Sequence, residues 1–206
     1  MLSGSTVILA LILVASVIGL SSRKFIAWTV LRPYSIARGR AYPTLLTSGF
    51  VHADLMHLLF NLFTFYSFGP LLERTIGTTQ FLVLYFCGLL ISGVGTVFKH
   101  RNDPDYAALG ASGAILALLF ASIVYYPQQK LFILPIPLPI PAPLFALGYL
   151  AFSYYSSGRN TTERSATGRT SDRINHDAHI LGALTGLAFV LLTNPVQFQA
   201  LLHAFF

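Results

Sequence analysis

Long apolar stretches separated by short polar loops dominate the chain. Six of them are candidates for membrane-spanning helices, at about residues 6–20, 55–72, 80–98, 112–126, 143–155 and 178–192. Several have only about 15 residues, whereas a helix needs about 20 to cross 30 Å of hydrocarbon. Such helices begin below the membrane surface or thin the bilayer locally. We expect an all-α polytopic membrane protein, a six-transmembrane-helix bundle that forms a single domain over residues 1–206.

Three segments interrupt this pattern. Residues 21–53 mix aromatic and basic side chains, which is typical of the lipid–water interface, and part of this loop is expected along the membrane surface. Residues 134–143 have proline at every second position, which forbids a helix and favours an extended chain. Residues 156–173 are rich in serine, threonine, glycine and arginine, the composition of a disordered loop.

Composition narrows the class of protein. The chain is 54% hydrophobic and 10% charged, whereas a soluble domain carries about 25% charged residues. The net charge is +6, but the basic residues lie in the loops. This distribution favours the lipid bilayer as a partner and argues against nucleic acid. The short loops and the lack of a targeting extension lead us to expect a multi-pass protein of the bacterial cytoplasmic membrane.

Positive charge is concentrated on one side of the predicted bundle. Eleven of the 13 Lys and Arg residues follow spans one, three and five, and only Arg74 and Lys130 lie on the other side. The positive-inside rule places the more basic side in the cytoplasm. The starts of spans two, four and six lie on that basic side.

Four polar side chains lie in or at the ends of apolar spans, where an unpaired polar group is costly. His57 and Asn61 share one face of span two, and both can donate hydrogen bonds. Ser112 lies within Gly110–Gly113 at the start of span four, where free backbone N–H groups can bind an oxyanion. His179 lies near the start of span six. Taken singly, the His57–Asn61 pair also fits an interhelical polar clamp.

Small residues on spans four and six predict that Ser112 and His179 lie close together. Gly182 and Gly186 share a helix face with His179, and a similar stripe in span four begins at Gly113. Small residues at this spacing let two membrane helices approach closely. Two crossings separate the spans, so both start at the same membrane face. The pattern predicts a Ser–His dyad, the alternative being tight packing with a chance histidine.

Span two runs parallel to these spans. Its His57 and Asn61 therefore lie at the depth of Ser112 and can donate to an oxyanion together with the Ser112 backbone N–H. All seven acidic residues lie at span ends or in loops, and Asp177 is expected to face the polar mouth instead of orienting the His179 ring. The absence of a carboxylate pair within the spans and of His-Glu-x-x-His disfavours aspartyl and zinc proteases.

Four motifs in order resemble the rhomboid intramembrane serine proteases over about residues 47–195. They are His52-x4-His57-x3-Asn61, Gly69-x3-Glu73-x3-Gly77, Gly110-Ala-Ser112-Gly113 and Ala178-His179-x2-Gly182-x3-Gly186. The resemblance implies Ser112 as nucleophile, His179 as general base, and His57 with Asn61 as oxyanion donors. The other motif residues are expected to be structural residues near the site, namely His52, Gly110, Gly113, Gly182, Gly186 and Glu73.

The resemblance also implies a function. Transmembrane protein substrates would be cleaved near their helix ends, without a metal or another cofactor, in a site that opens away from the cytoplasm. This orientation conflicts with the charge distribution. Residues 156–177 and span five would form the cap and the lateral gate. The family often has an aromatic residue four places after the nucleophile, stacked on the catalytic imidazole, but this chain has Leu116 there.

Two other classes of function remain open. A catalytically silent rhomboid-like protein would use the same fold to bind membrane clients, and labelling of Ser112 by a fluorophosphonate would distinguish it from a protease. A transporter or channel would need polar residues along the whole length of the spans, whereas the four polar side chains cluster at one depth. The sequence predicts an intramembrane serine endopeptidase and leaves the substrate and the oligomeric state open.

Overall fold

A computed structural model describes residues 2–133, 136–159 and 175–203. The helices are α1 Gly4–Ser21, α2 Arg23–Thr29, α3 Pro33–Ile36, α4 Thr44–Thr47, α5 Leu55–Ile76, α6 Thr78–His100, α7 Ser112–Tyr125, α8 Ala142–Arg159, α9 His176–Thr193 and α10 Pro195–His203. A 3₁₀ turn, Ser48–Phe50, precedes α5. The strands are β1 Lys130–Ile133 and β2 Ile136–Pro141.

The six predicted spans coincide with α1, α5, α6, α7, α8 and α9. Over the described part of the chain, α1, α5, α6 and α9 are long and apolar enough to cross a membrane. Helix α7 has 14 residues, about 21 Å at 1.5 Å per residue, and is therefore shorter than the hydrocarbon layer. The structure confirms a polytopic helical bundle.

Helix α7 occupies the centre of the bundle. Every residue from Gly113 to Val124 is buried, and α5, α6 and α9 pack around the helix. Contact with α6 is close at Gly88, where an added Cβ would lie 2.6 Å from the Cβ of Ala117. The outer faces of the surrounding helices expose large apolar side chains such as Val14 and Leu147. This arrangement suits a protein whose solvent is lipid.

The loop after α1 is more structured than the sequence indicated. It contains α2, α3, α4 and the 3₁₀ turn, and the side chain of Ser22 accepts a hydrogen bond from the Phe25 backbone N–H at the start of α2. Trp28 lies on α2 and is 80% exposed. Tryptophan is enriched at lipid–water interfaces, so this exposure fits a helix along the membrane surface.

The proline-rich segment is extended, as predicted, but it also pairs. Strand β2 lies antiparallel to β1, with Leu131 opposite Ile140 and Phe132 opposite Pro139. Successive N–H groups of a strand point to opposite edges, so prolines at every second position remove the donors from one edge only. The donors on the other edge remain available to β1. The proline pattern alone did not predict this pairing.

The C-terminal end of the described chain also differs from expectation. Asn194 ends α9 as its C-cap, and α10 then begins at Pro195, beyond the last predicted span. Proline is favoured at a first helical position because its fixed φ suits the helix and its missing N–H has no partner there. Of the predicted disordered loop, residues 156–159 form the end of α8, and residues 160–173 lie outside the described residues.

Candidate active site

Ser112 is the first residue of α7 and comes two residues after a glycine with positive φ. Gly110 has φ +122°, a conformation that L side chains rarely adopt, and its N–H donates to the carbonyl of Ser48 at 2.9 Å. The turn directs the chain into α7, whose first N–H groups have no acceptor within the helix. Ser112 is therefore at a helix N-terminus with backbone donors around it.

Ser112 and His179 are in direct contact. The Ser112 Oγ lies 2.8 Å from the His179 Nε2, the distance of a normal hydrogen bond. The contact depends on the packing of α7 against α9, because a Cβ added to Gly182 would lie 2.1 Å from the Gly113 carbonyl oxygen. At Gly186 an added Cβ would lie 2.2 Å from the carbonyl oxygen of the residue facing it, Ala117. The two helices therefore pack backbone against backbone.

His57 lies beside the turn at Gly110. A Cβ added to Gly110 would lie 2.7 Å from His57 Cε1 and 3.0 Å from its Nε2, so the imidazole packs on the Gly110 backbone two residues before Ser112. Asn61 is 7% exposed, and its Nδ2 donates to the carbonyl oxygen of His57 at 2.9 Å. The structure thus brings His57 next to the turn before Ser112 and engages one amide hydrogen of Asn61 within α5.

His52 holds the backbone on the other side of the turn. Ser16 donates its hydroxyl hydrogen to the carbonyl of Phe50 at 3.0 Å, so the Ser16 Oγ accepts from the His52 Nδ1–H at 2.9 Å. The His52 Nε2 is then an acceptor, and the Ala111 N–H donates to it at 3.4 Å. Burial lowers the pKa of His52 to about 3, which keeps the ring neutral and suited to this double role.

Glu73 acts far from the dyad, contrary to its expected place near the site. It lies 12 residues beyond Asn61 on α5, about 18 Å along the helix axis. Its Oε1 accepts from the Gly4 N–H at 2.7 Å and its Oε2 from the Ser5 N–H at 2.8 Å, while the Thr78 hydroxyl donates to Oε1 at 2.8 Å. The carboxylate caps the start of α1 and stabilises the helix dipole there.

No acidic side chain among the described residues bonds the His179 ring in the structure. Asp177 instead forms an ion pair with Lys99 and accepts a hydrogen bond from the hydroxyl of Ser157. Lys99 also donates to the Ser157 Oγ at 3.2 Å. These contacts join the ends of α6, α8 and α9.

Tyr149, on α8, contacts the other ring nitrogen of His179. Its hydroxyl lies 2.9 Å from the His179 Nδ1, and the two rings stack with centroids 6.3 Å apart and an interplanar angle of 29°. The sequence analysis did not single out Tyr149, since no motif surrounds it. Leu116 is buried and packs in the cluster that Tyr149 adjoins, so the aromatic partner reaches His179 from α8 instead of α7.

A small cavity adjoins Ser112. It has a volume of about 40 Å³ and is lined in part by polar residues, Ser48, Ser92, Thr96 and Asn175. A buried water needs about 10–15 Å³ by this measure and two to four polar partners. The cavity therefore has room for about three water molecules beside Ser112.

A model of the Rhomboid domain family matches residues 39–195. Presenilin-associated rhomboid-like protein A, mitochondrial, of Danio rerio is 29% identical over 157 residues, covering 75% of this chain and 38% of that protein. A Bacillus subtilis protein named "Putative rhomboid protease YdcA" is 41% identical over 75 residues, 36% of each chain. Rhomboid-like protein 16, chloroplastic, of Arabidopsis thaliana is 27% identical over 150 residues, covering 65% of this chain and 46% of that protein. The chain thus spans less than half the length of these relatives.

Proposed function

The chain belongs to the rhomboid family, and we propose that it is an intramembrane serine endopeptidase that cleaves transmembrane protein substrates with a Ser112–His179 dyad. The observation that carries this proposal is the hydrogen bond of 2.8 Å between the Ser112 Oγ and the His179 Nε2. A serine hydroxyl is a weak nucleophile on its own and needs an adjacent base within hydrogen-bond reach. The name of the Bacillus subtilis relative, which includes the word protease, supports the same class of activity.

The reaction begins with a proton transfer. His179 Nε2 takes the proton of the Ser112 hydroxyl as its Oγ attacks the scissile carbonyl carbon and forms a tetrahedral intermediate. The protonated His179 then gives this proton to the leaving amide nitrogen, the C–N bond breaks, and the first product departs. His179 then takes a proton from a water molecule as the water oxygen attacks the acyl carbon. The ester bond to the Ser112 Oγ breaks, His179 returns the proton to Oγ, and the second product leaves with a new carboxylate.

The negative charge of the intermediate needs donors near Ser112. The backbone N–H of Ser112 is one, because it belongs to the unpaired first turn of α7. His57 packs on the turn before Ser112, and Asn61 has a second amide hydrogen beyond the one given to His57. We assign these two side chains as the further oxyanion donors, each typically worth about 10²–10³-fold in rate.

The position of the site suits a substrate that arrives within the bilayer. Helix α7 is buried along its length, and Ser112 lies at its start beside a cavity of about 40 Å³ that can hold the hydrolytic water. We propose transmembrane protein segments as substrates and the lipid bilayer as the medium. We keep the bacterial cytoplasmic membrane as a prediction, since the named relatives belong to mitochondria, chloroplasts and a bacterium.

The test compares the protein with its Ser112→Ala variant on a model transmembrane substrate in liposomes. Cleavage is expected to fall at least about 10³-fold. Ser122→Ala is the matched control, because Ser122 is also buried in α7 but donates only to the Leu118 carbonyl one turn earlier. Its activity should stay within about twofold. Equal cleavage by the Ser112→Ala variant would overturn the proposal.

Fluorophosphonate labelling separates the protease from a catalytically silent client-binding protein. The reagent phosphonylates a serine only when a base activates it, so the wild-type protein and the Ser122→Ala variant should be labelled. His179→Ala should abolish the labelling while Ser112 is still present. A wild-type protein that binds the substrate but neither cleaves it nor reacts with the probe is the silent protein.

A further inference from the structure

We propose that Tyr149 is a positioning residue that holds His179 in the tautomer and orientation needed for catalysis, and that α8 thereby controls the base. This role rests on the proposed dyad. A neutral imidazole has one N–H donor and one acceptor nitrogen. His179 can accept the Ser112 proton at Nε2 only when its Nδ1 carries the hydrogen. The Tyr149 oxygen, 2.9 Å from Nδ1, is placed to accept that hydrogen.

In serine proteases with a triad, a buried carboxylate selects this tautomer and stabilises the imidazolium. A phenol oxygen supplies the same acceptor without a negative charge, so it selects the tautomer but stabilises the imidazolium less. In this chain the carboxylate of Asp177, two residues before His179, binds Lys99 and Ser157 instead of the imidazole. Tyr149 is therefore the group that occupies the orienting position.

The surroundings of Tyr149 keep its hydroxyl in place. Its ring stacks on that of Phe145 with centroids 5.7 Å apart and an interplanar angle of 25°. Phe120 of α7 lies against it at 6.2 Å. A ring held between two aromatic neighbours has few rotamers left, so the position of its oxygen follows the position of α8.

Hydrogen bonds join α8 to α9 at Tyr149 and His179 and at the ends of the two helices, where the Ser157 hydroxyl donates to Asp177. Between these positions the ring of Phe152 on α8 meets that of His176 on α9 edge-on, with centroids 5.6 Å apart. A movement of α8 away from α9 withdraws the acceptor from Nδ1 but leaves the Ser112–His179 contact, which depends on α7 and α9. Tyr149 therefore orients the His179 ring only while α8 packs against α9.

The test uses Tyr149→Phe, which removes one oxygen and keeps the ring. The value of kcat should fall about 10- to 100-fold, less than loss of a triad carboxylate, with KM within about twofold. Fluorophosphonate labelling of Ser112 should slow by a similar factor, because the small probe needs the base but no docked helix. Tyr154→Phe is the matched control, since Tyr154 lies on the same helix and is 79% exposed.

Each outcome decides the proposal. Each rate is divided by the folded fraction of the variant, measured by thermal unfolding. A folding defect is then not mistaken for a loss of His179 orientation. Tyr149→Phe with the kcat and labelling rate of Tyr154→Phe overturns the positioning role. A raised KM at unchanged kcat also overturns it, since that is the effect of a substrate contact. The Ser112→Ala variant tests the dyad separately. If Ser112→Ala is inactive while Tyr149→Phe is fully active, the dyad stands and only the role of Tyr149 is overturned.

Discussion

At the scale of single residues, His52 shows how a buried imidazole can set the backbone beside a nucleophile. It links Ser16 of α1 to the N–H of Ala111, the residue before Ser112. The link requires the neutral ring, because protonated histidine has no acceptor nitrogen. Stability of the site therefore depends on the protonation state of His52.

This dependence predicts a pH effect on stability. The pKa of His52 is about 3 in the folded protein, lowered chiefly by burial and further by His57, against 6.5 in the unfolded chain. Between these values the unfolded chain binds the extra proton. The contribution of His52 is therefore complete above pH 6.5 and decreases as the pH falls towards 3. His52→Gln keeps an acceptor but does not titrate, so its deficit in thermal stability relative to wild type should shrink on acidification, and a constant deficit would contradict this.

At the residue level, a spacing in the sequence could predict which side chains lie close together, whereas their catalytic roles stay predictions. Ser112 and His179 come together in the structure because glycines at helical spacing flank both. Tyr149 could not be found in this way, since its role depends on the rotation of α8 about its axis and on the rotamer of a single side chain. Glu73 shows the opposite error: a motif placed it near the site, but its partners are the first N–H groups of α1.

At the scale of helices, the contact between α7 and α9 makes a sharp prediction for Gly182→Ala. The new methyl group would lie 2.1 Å from the Gly113 carbonyl oxygen, so α9 must move away from α7. Overpacking of this kind costs about 1–3 kcal/mol, and a displacement of about 1 Å can lower the rate about 10²-fold. Gly148→Ala is the control, because an added Cβ there meets nothing within 4 Å and alanine favours the helix. Similar kcat and unfolding temperatures for the two variants would refute backbone-to-backbone packing.

The helices themselves could be predicted from their apolar runs, and each predicted span coincides with an observed helix. The antiparallel pairing of β1 and β2 could not, because alternating prolines indicate an extended chain but not which neighbour its free edge meets. Helix α10 was missed for a related reason. Proline both ends one helix and starts the next, and only the packing around Pro195 decides between these uses.

At the scale of the whole molecule, the bundle has a buried central helix and a peripheral α1. The order and direction of the spans follow from counting crossings. The central place of α7 does not, because several spans are equally apolar and only packing shows which one is enclosed. Helix α1 is exposed to lipid along one face and packs on α5 with buried Ile8 and Ile12.

The attachment of α1 gives a prediction for Glu73→Gln. The carboxylate accepts from Gly4 and Ser5, and a hydrogen bond to a charged group contributes about 1.5–3 kcal/mol. The variant should therefore unfold at a lower temperature and show faster amide exchange in the first turn of α1. Its kcat should change less than about twofold, since the carboxylate lies about 18 Å beyond Asn61 along α5. The exposed Asp105→Asn is the control, and unchanged exchange in Glu73→Gln would contradict the tether.

The backbone contact of Gly182 with Gly113 has a consequence for inhibition. Because backbone meets backbone at Gly182 and Gly113, the packing of α7 on α9 fixes the separation of the proposed nucleophile and base. Tyr149, in contrast, arrives on a separate helix. A compound that binds between α8 and α9 would abolish the proposed protease activity while leaving Ser112 intact and unmodified. Such an allosteric inhibitor would need no electrophilic warhead, and its action would be reversible.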